Sequence, residues 1–179
     1  MFGGLTDSCT QVAGPAMDAI RSYTGALFSD TVEFEDESAG LSGPEGPVKV
    51  CTAQYQKIEP WSAGEPLQRT ITLSFSLRLG DDAVEATERH FDRALDATKG
   101  SETTGLGDES FESWGAPDDT ASSAFRKSNV FVSAAVFGSN MSEREGVSGP
   151  RAGRAELEPG ARAIAEALAA DLGAVLTSN

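Results

Sequence analysis

Ile71, Leu73, Phe75, Leu77 and Leu79 occupy alternate positions of one stretch, and Thr70, Thr72, Ser74, Ser76 and Arg78 fill the gaps between them. A helix repeats its apolar positions every three or four residues, so a sustained period of two demands a strand with one dry face and one wet face. One such strand cannot bury its dry face alone, and the chain must therefore build a sheet with a core against it. The wet face carries small hydroxyls, which suit either open solvent or the floor of a cleft.

The neighbouring segments supply the rest of that sheet. Val48–Lys57 reads as a strand in which Cys51, Ala53 and Tyr55 share one face and Val48 and Val50 the other. Thr31–Asp36 alternates Val32 and Phe34 with acids, the pattern of a charge-protected edge strand. Ser110–Trp114 reads as a further strand, and Ser122–Arg126 and Val130–Phe137 as a hairpin turning at Lys127-Ser128-Asn129. Val130–Phe137 is apolar on both faces, which puts it in the centre of the sheet.

Three helices are expected. Pro15 opens a short one to Tyr23, with Ala16, Met17 and Ile20 on one side. Asp82 and Glu85 form a D-x-x-E capping box for a helix ending near Thr98, with Lys99 and Gly100 as stop signals and Val84, Thr87, Phe91, Ala94 and Leu95 as its inward stripe. Pro159 opens the last, whose stripe is Ala161, Ile164, Leu168, Leu172, Val175 and Leu176. The connections between strands are too short for crossover helices. These elements predict an α+β fold, an antiparallel sheet with helices packed on one side, in the order helix, strands, helix, strands, helix. The 179 residues form a single domain, 1–179, with flexible segments at 1–12 and 138–156.

Charge excludes one class of partner. Acids outnumber bases to a net charge of −14, and Arg21 alone faces Asp7, Asp18, Asp30, Glu33, Glu35, Asp36, Glu37 and Glu45 in the first quarter of the chain. Nucleic acid binding needs clustered Lys and Arg and is not expected. No apolar run approaches the length of a membrane span, since Glu166 and Asp171 interrupt the longest candidate. Cys9 and Cys51 lack the spacing of a zinc or dithiol site and read either as two buried thiols or as one disulfide. A bridge between them would close a loop of about 40 residues, worth on the order of 4 kcal/mol in the chain-entropy picture.

Several short motifs are similar to a known group. Leu5-Thr6-Asp7-x-Cys9, Cys51 at a strand opening, Gly105-Leu106-Gly107-Asp108-Glu109, the Arg126-Lys127-x-Asn129-Val130-Phe131-Val132 hairpin and the C-terminal Ala/Leu helix resemble actinobacterial cell-envelope lipoproteins of unknown function. The same layout is similar to the extracellular sensor domains of mycobacterial serine/threonine kinases. The resemblance spans about residues 5 to 177. It implies an exported domain, a Cys9–Cys51 disulfide, a lipid or transmembrane anchor upstream, and binding of a small molecule, a wall component or an envelope protein rather than catalysis. Two features depart from the group: the kinase domains carry two disulfides, and Thr52 and Ala53 stand where an aromatic often follows the second cysteine.

The residues themselves offer little catalytic chemistry. His90 is the only histidine, so any Ser-His or Cys-His mechanism runs through it, yet a lone histidine beside an apolar helix stripe reads as a boundary residue. Gly40-Leu41-Ser42-Gly43 is not a nucleophile elbow. Asp108 with Glu109 and Asp118 with Asp119 are adjacent pairs whose side chains diverge on extended backbone, unlike the facing carboxylates of a glycosidase. Asp81, Asp82 and Glu85 lack the alternation of a calcium loop, and no metal or cofactor is expected. Gly105 and Gly107 make a turn without the third glycine of a dinucleotide site, and Asn140-Met141-Ser142 is a formal glycosylation sequon. Trp61 and Trp114 sit in polar surroundings at the core edge. If a cleft forms, its lining is expected from Thr72, Ser74, Ser76, Gly105, Gly107, Asp108, Trp114 and Arg126. A hydrolase acting on envelope glycans or esters, and an intracellular acidic interaction protein, are the competing readings.

Overall fold

A computed structural model describes residues 1–25, 33–42, 45–57, 62–115, 119–142 and 148–178. Strands are β1 Phe2–Leu5, β2 Glu35–Asp36, β3 Val48–Gln56, β4 Pro66–Leu77, β5 Ser101–Thr103, β6 Glu109–Gly115, β7 Thr120–Lys127, β8 Val130–Met141, β9 Ser148–Arg151 and β10 Leu176–Ser178. Helices are α1 Cys9–Ala13, α2 Met17–Thr24, α3 Ala83–Thr98 and α4 Arg154–Ala170, with short 3-10 turns at Gly14–Ala16 and Leu172–Ala174. The main sheet is antiparallel in the order β2-β3-β4-β8-β7-β6-β5, with β9 added to the far end of β8, and β1 pairs with β10 in a small second sheet.

The α+β class and the antiparallel sheet are as the alternation demands. Ile71, Leu73, Phe75 and Leu77 are fully buried, whereas Leu79 lies beyond the strand and is 46% exposed. β8 is the middle strand, with Val130, Val132, Ala134 and Val136 in the main core and Phe131 on the opposite face. Its hairpin to β7 is closed by Ser128 and Asn129, with Ser128 at φ 55°.

Four expectations are corrected. The first is the packing of the helices on one side. α1, α2 and α4 cover one face, where Val12, Ile20, Leu157, Ile164 and Leu168 meet the strands, but α3 lies on the other, where Phe91 meets Phe111, Ala124 and Phe131. Periodicity identifies which side of a helix is apolar and carries no information about which side of a sheet receives it. The second is element order, since the described chain begins and ends in strands rather than helices.

The third is the start of the last helix. It begins at Arg154, with Pro159 inside, because the Glu156 carboxylate accepts the Gly153 N–H at 2.8 Å and secures the first turn upstream of the proline. Within α4, Gly160 lets Tyr23 pack directly on the helix backbone, since an added Cβ would stand 2.6 Å from its ring. The fourth is the Asp82 capping box. Asp82 does precede α3, but its side chain makes no cap bond and lies 3.5 Å from Arg89, which also holds Glu85 at 2.7 Å.

The segments expected to be flexible contain regular elements: β1 and part of α1 within 1–12, and the end of β8, β9 and the start of α4 within 138–156. Of the expected Thr31–Asp36 strand, Glu35–Asp36 is strand, Glu33 and Phe34 are not, and 31 and 32 lie outside the described residues.

Cys9 and Cys51 form a disulfide that ties α1 to β3 inside the main core. Two polar clamps complete the frame. Asn129, wholly buried, accepts the Phe2 N–H at 2.8 Å and donates to the Phe2 and Arg78 carbonyls at 2.9 and 2.7 Å, so the hairpin holds the N-terminal strand. Arg69 donates to the Asn140 side chain and the Ser139 carbonyl, and Asn140 donates in turn to Glu156. Asn140 is thereby 8% exposed and committed, so the sequon side chain sits in a clamp rather than in an open loop.

Candidate functional site

Paired residues of antiparallel strands share a face, which fixes what lies on the α3 side of the sheet. Val48 pairs with Ser76 and Ser76 with Phe131; in the next row Val50 pairs with Ser74 and Ser74 with Ser133. α3 covers only the β6–β7–β8 end of this face through Phe91. Among the described residues no helix covers the β3–β4 end, and a recess of about 470 Å³ forms there. Its floor is Val48, Val50, Ser74, Ser76 and Phe131, its wall is His90 of α3, and its rim is Leu41, Glu45, Gly46 and Arg78. Volume and lining match the usual small-molecule site, apolar with a few placed polar groups.

The polar groups form a chain. Arg78 Nη1 is 2.6 Å from the Glu45 carboxylate, and its Nη2 is 3.1 Å from His90 Nδ1. A guanidinium only donates, so Nδ1 must accept and the imidazole proton resides on Nε2. Burial, reinforced by the charges of Arg78 and Arg93 and opposed by Glu45, holds His90 below the usual histidine value. The ring also stands edge-on to Phe131, centroids 4.8 Å apart. His90 is thus a neutral, oriented donor beside an apolar floor.

Two other recesses are larger. One of about 670 Å³ adjoins the first through Glu45 and Arg78, and is lined by Leu79, Asp82, Arg89 and Arg93. The other, about 770 Å³, lies between the β5–β6 loop and α4, where Gly105 and Gly107 meet Lys127, Glu112 and Arg162. Arg162 is already forked onto Glu112 at 2.5 and 2.7 Å. Its charged groups largely satisfy one another, which leaves the smaller apolar recess as the better candidate.

The expected cleft residues do not converge. Ser74 and Ser76 line the apolar recess, and Thr72 lies further along β4 with its hydroxyl 3.2 Å from that of Thr52. Gly105 and Gly107 line the α4-side recess, where Gly107, at φ 58°, lies so close to the Arg126 carbonyl that a Cβ would stand 2.2 Å from its oxygen. Asp108 accepts the Ser128 N–H at 2.6 Å and lies 3.6 Å from Arg126. Arg126 is enclosed by Glu88, Asp108 and Glu109 and braces α3 to the sheet. Trp114 packs on the main core. Trp61 and Asp118 lie outside the described residues. Val48, Val50, His90, Phe131 and Arg78 were the unforeseen part of the lining. Their signal was present in the two-sided apolarity of Val130–Phe137 and in the Val48/Val50 face.

Among the described residues, no helix is long and apolar enough to cross a membrane, and no three His, Cys, Asp or Glu side chains gather as a metal site. Compared with known proteins, the chain matches no protein-family model, no curated protein and no solved structure.

Proposed function

We propose that the chain is a non-enzymatic, extracytoplasmic binding domain of an envelope lipoprotein, stapled by its disulfide, which takes an apolar small molecule into the recess beside His90. The observation that carries this reading is the end of the α3 face that no helix covers among the described residues, where Val48, Val50 and Phe131 floor an open recess. A folded chain ordinarily closes such a surface unless something else occupies it. The Cys9–Cys51 bridge supports an oxidising compartment, and the motif resemblance supports an anchored envelope protein.

Hydrolysis is less well supported by the same geometry. Ser74 and Ser76 share the recess with His90, but no hydrogen bond joins either to the imidazole among the described residues, and Arg78 occupies Nδ1. A serine nucleophile needs that contact with its base.

Diphenylhexatriene, an apolar dye without polar atoms that fluoresces only out of water, tests the reading. Saturable one-to-one binding is expected, with Val50→Asp abolishing it while the circular dichroism spectrum is retained. Absence of saturable binding, or unchanged binding in Val50→Asp, overturns the assignment of the recess.

A further inference from the structure

The recess is not uniformly apolar, and the polar atoms that line it are open to a ligand. Ser76 is 7% exposed, yet its hydroxyl has no partner among the described residues, and neither has that of Ser74. Arg78 fixes His90 as the Nε2–H tautomer, and Nε2 likewise has no partner there. Solvent reaches these donors, and a ligand that displaces that water must supply an acceptor in its place. Further along β4 the Thr52 and Thr72 hydroxyls bond each other, 3.2 Å apart.

Charge narrows the occupant further. The cation at the rim, Arg78, is already neutralised by Glu45 at 2.6 Å. An anionic group placed against the serines and His90 would stand near the Glu45 carboxylate, inside a chain of net charge −14, with no uncompensated cation in the recess itself. A cationic group would meet the Nε2–H donor of His90 and the Arg78 guanidinium, with the Glu45 carboxylate already committed to Arg78. Leu41 and Leu79, with Met1 the exposed large hydrophobic residues of the described chain, are 51% and 46% exposed, and flank the mouth of this recess and its neighbour. The apolar contact therefore extends outward past the rim, rather than giving way to a charged head group.

Resting on the reading of the recess as a binding site, we propose that its occupant is an uncharged apolar molecule with a hydrogen-bond-accepting oxygen, the carbonyl of a ketone or ester, received by Ser74 Oγ, Ser76 Oγ and His90 Nε2–H. The apolar body lies on Val48, Val50 and Phe131 and emerges past Leu41.

A pair of dyes tests this. Propionyl-dimethylaminonaphthalene is a neutral ketone whose emission moves to the red when its carbonyl accepts hydrogen bonds, and anilinonaphthalene sulfonate is a similar apolar body bearing an anion. The ketone dye is expected to bind at least about tenfold more tightly than the sulfonate, the difference that one well-made polar contact supplies. Its bound emission is expected to be red-shifted relative to hydrocarbon solvent, and to move to the blue in Ser76→Ala and in His90→Phe. Diphenylhexatriene binding, retained in both variants, shows that the recess is intact. Tighter binding of the sulfonate, or ketone emission unmoved by both substitutions, overturns the acceptor assignment while leaving an apolar site standing. Failure of all three dyes to bind overturns the site and the inference together.

Discussion

Asn129 shows how much one side chain holds in this fold. Its amide satisfies both backbone groups of Phe2 and the carbonyl of Arg78, all from a two-residue hairpin turn. Asn129→Ala leaves those groups without their partner and is expected to cost about 2 kcal/mol, measured by urea unfolding, with earlier hydrogen exchange at residues 2–5. A loss under about 0.5 kcal/mol would mean that water replaces the amide at no cost. The sequence identified the turn but not this clamp, because a polar residue in a turn looks the same whether it faces solvent or a strand more than a hundred residues away. His90 gives a second prediction at this scale. Its folded value lies below the usual one, so the unfolded chain takes up a proton first as pH falls, near 6.5. Stability is therefore complete above that pH and declines below it, down through the folded value. Proton NMR of the imidazole is expected to give a midpoint below 6.5, and replacing Arg78 by Ala to raise it; a midpoint above 6.5 in the parent protein contradicts the burial and the Arg78 contact.

At the scale of elements, what could be read was what depends on local periodicity. β4 and the two faces of β3 follow directly from alternation, with Cys51, Ala53 and Tyr55 buried. The stop of α3 also falls where it was expected, although Lys99 takes the left-handed position, at φ 51°, instead of Gly100. Sidedness was not legible, and it decides the site: with α3 on the same face as α4, Val48, Val50 and the serines would have no wall beside them. The start of α4 is not legible from Pro159, which reads as a first-turn residue, because Glu156 and Gly153 open the helix upstream of it. The disulfide joins elements of different kinds, α1 and β3, across a sequence separation of 42. Replacing both cysteines by serine is expected to destabilise the domain by roughly 4 kcal/mol, from released chain entropy. The check is a denaturant midpoint together with thiol alkylation, where the parent protein should react only after reduction. Parent thiols that alkylate without reduction, in protein made under oxidising conditions, would contradict the bridge.

For the whole molecule, the two faces of the sheet have different work. The α4 face is closed by a continuous core from Val12 to Leu176, which leaves the stability of the domain on that side. The α3 face has a small aromatic cluster at one end and an open recess at the other. Strand periodicity restricted the fold class, while composition and charge pointed to no site, since the lining comes from β3, β4, α3, β8 and two loops, and converges only through strand register. The account therefore stands on which recess is occupied. Amide chemical-shift mapping of the isotope-labelled protein, titrated with the neutral ketone dye, measures this most directly. Perturbations concentrated at Val48, Val50, Ser74, Ser76, His90 and Phe131 are the result expected. Perturbations centred instead on Gly105, Gly107, Lys127 and Arg162 would place the ligand on the opposite face and contradict it.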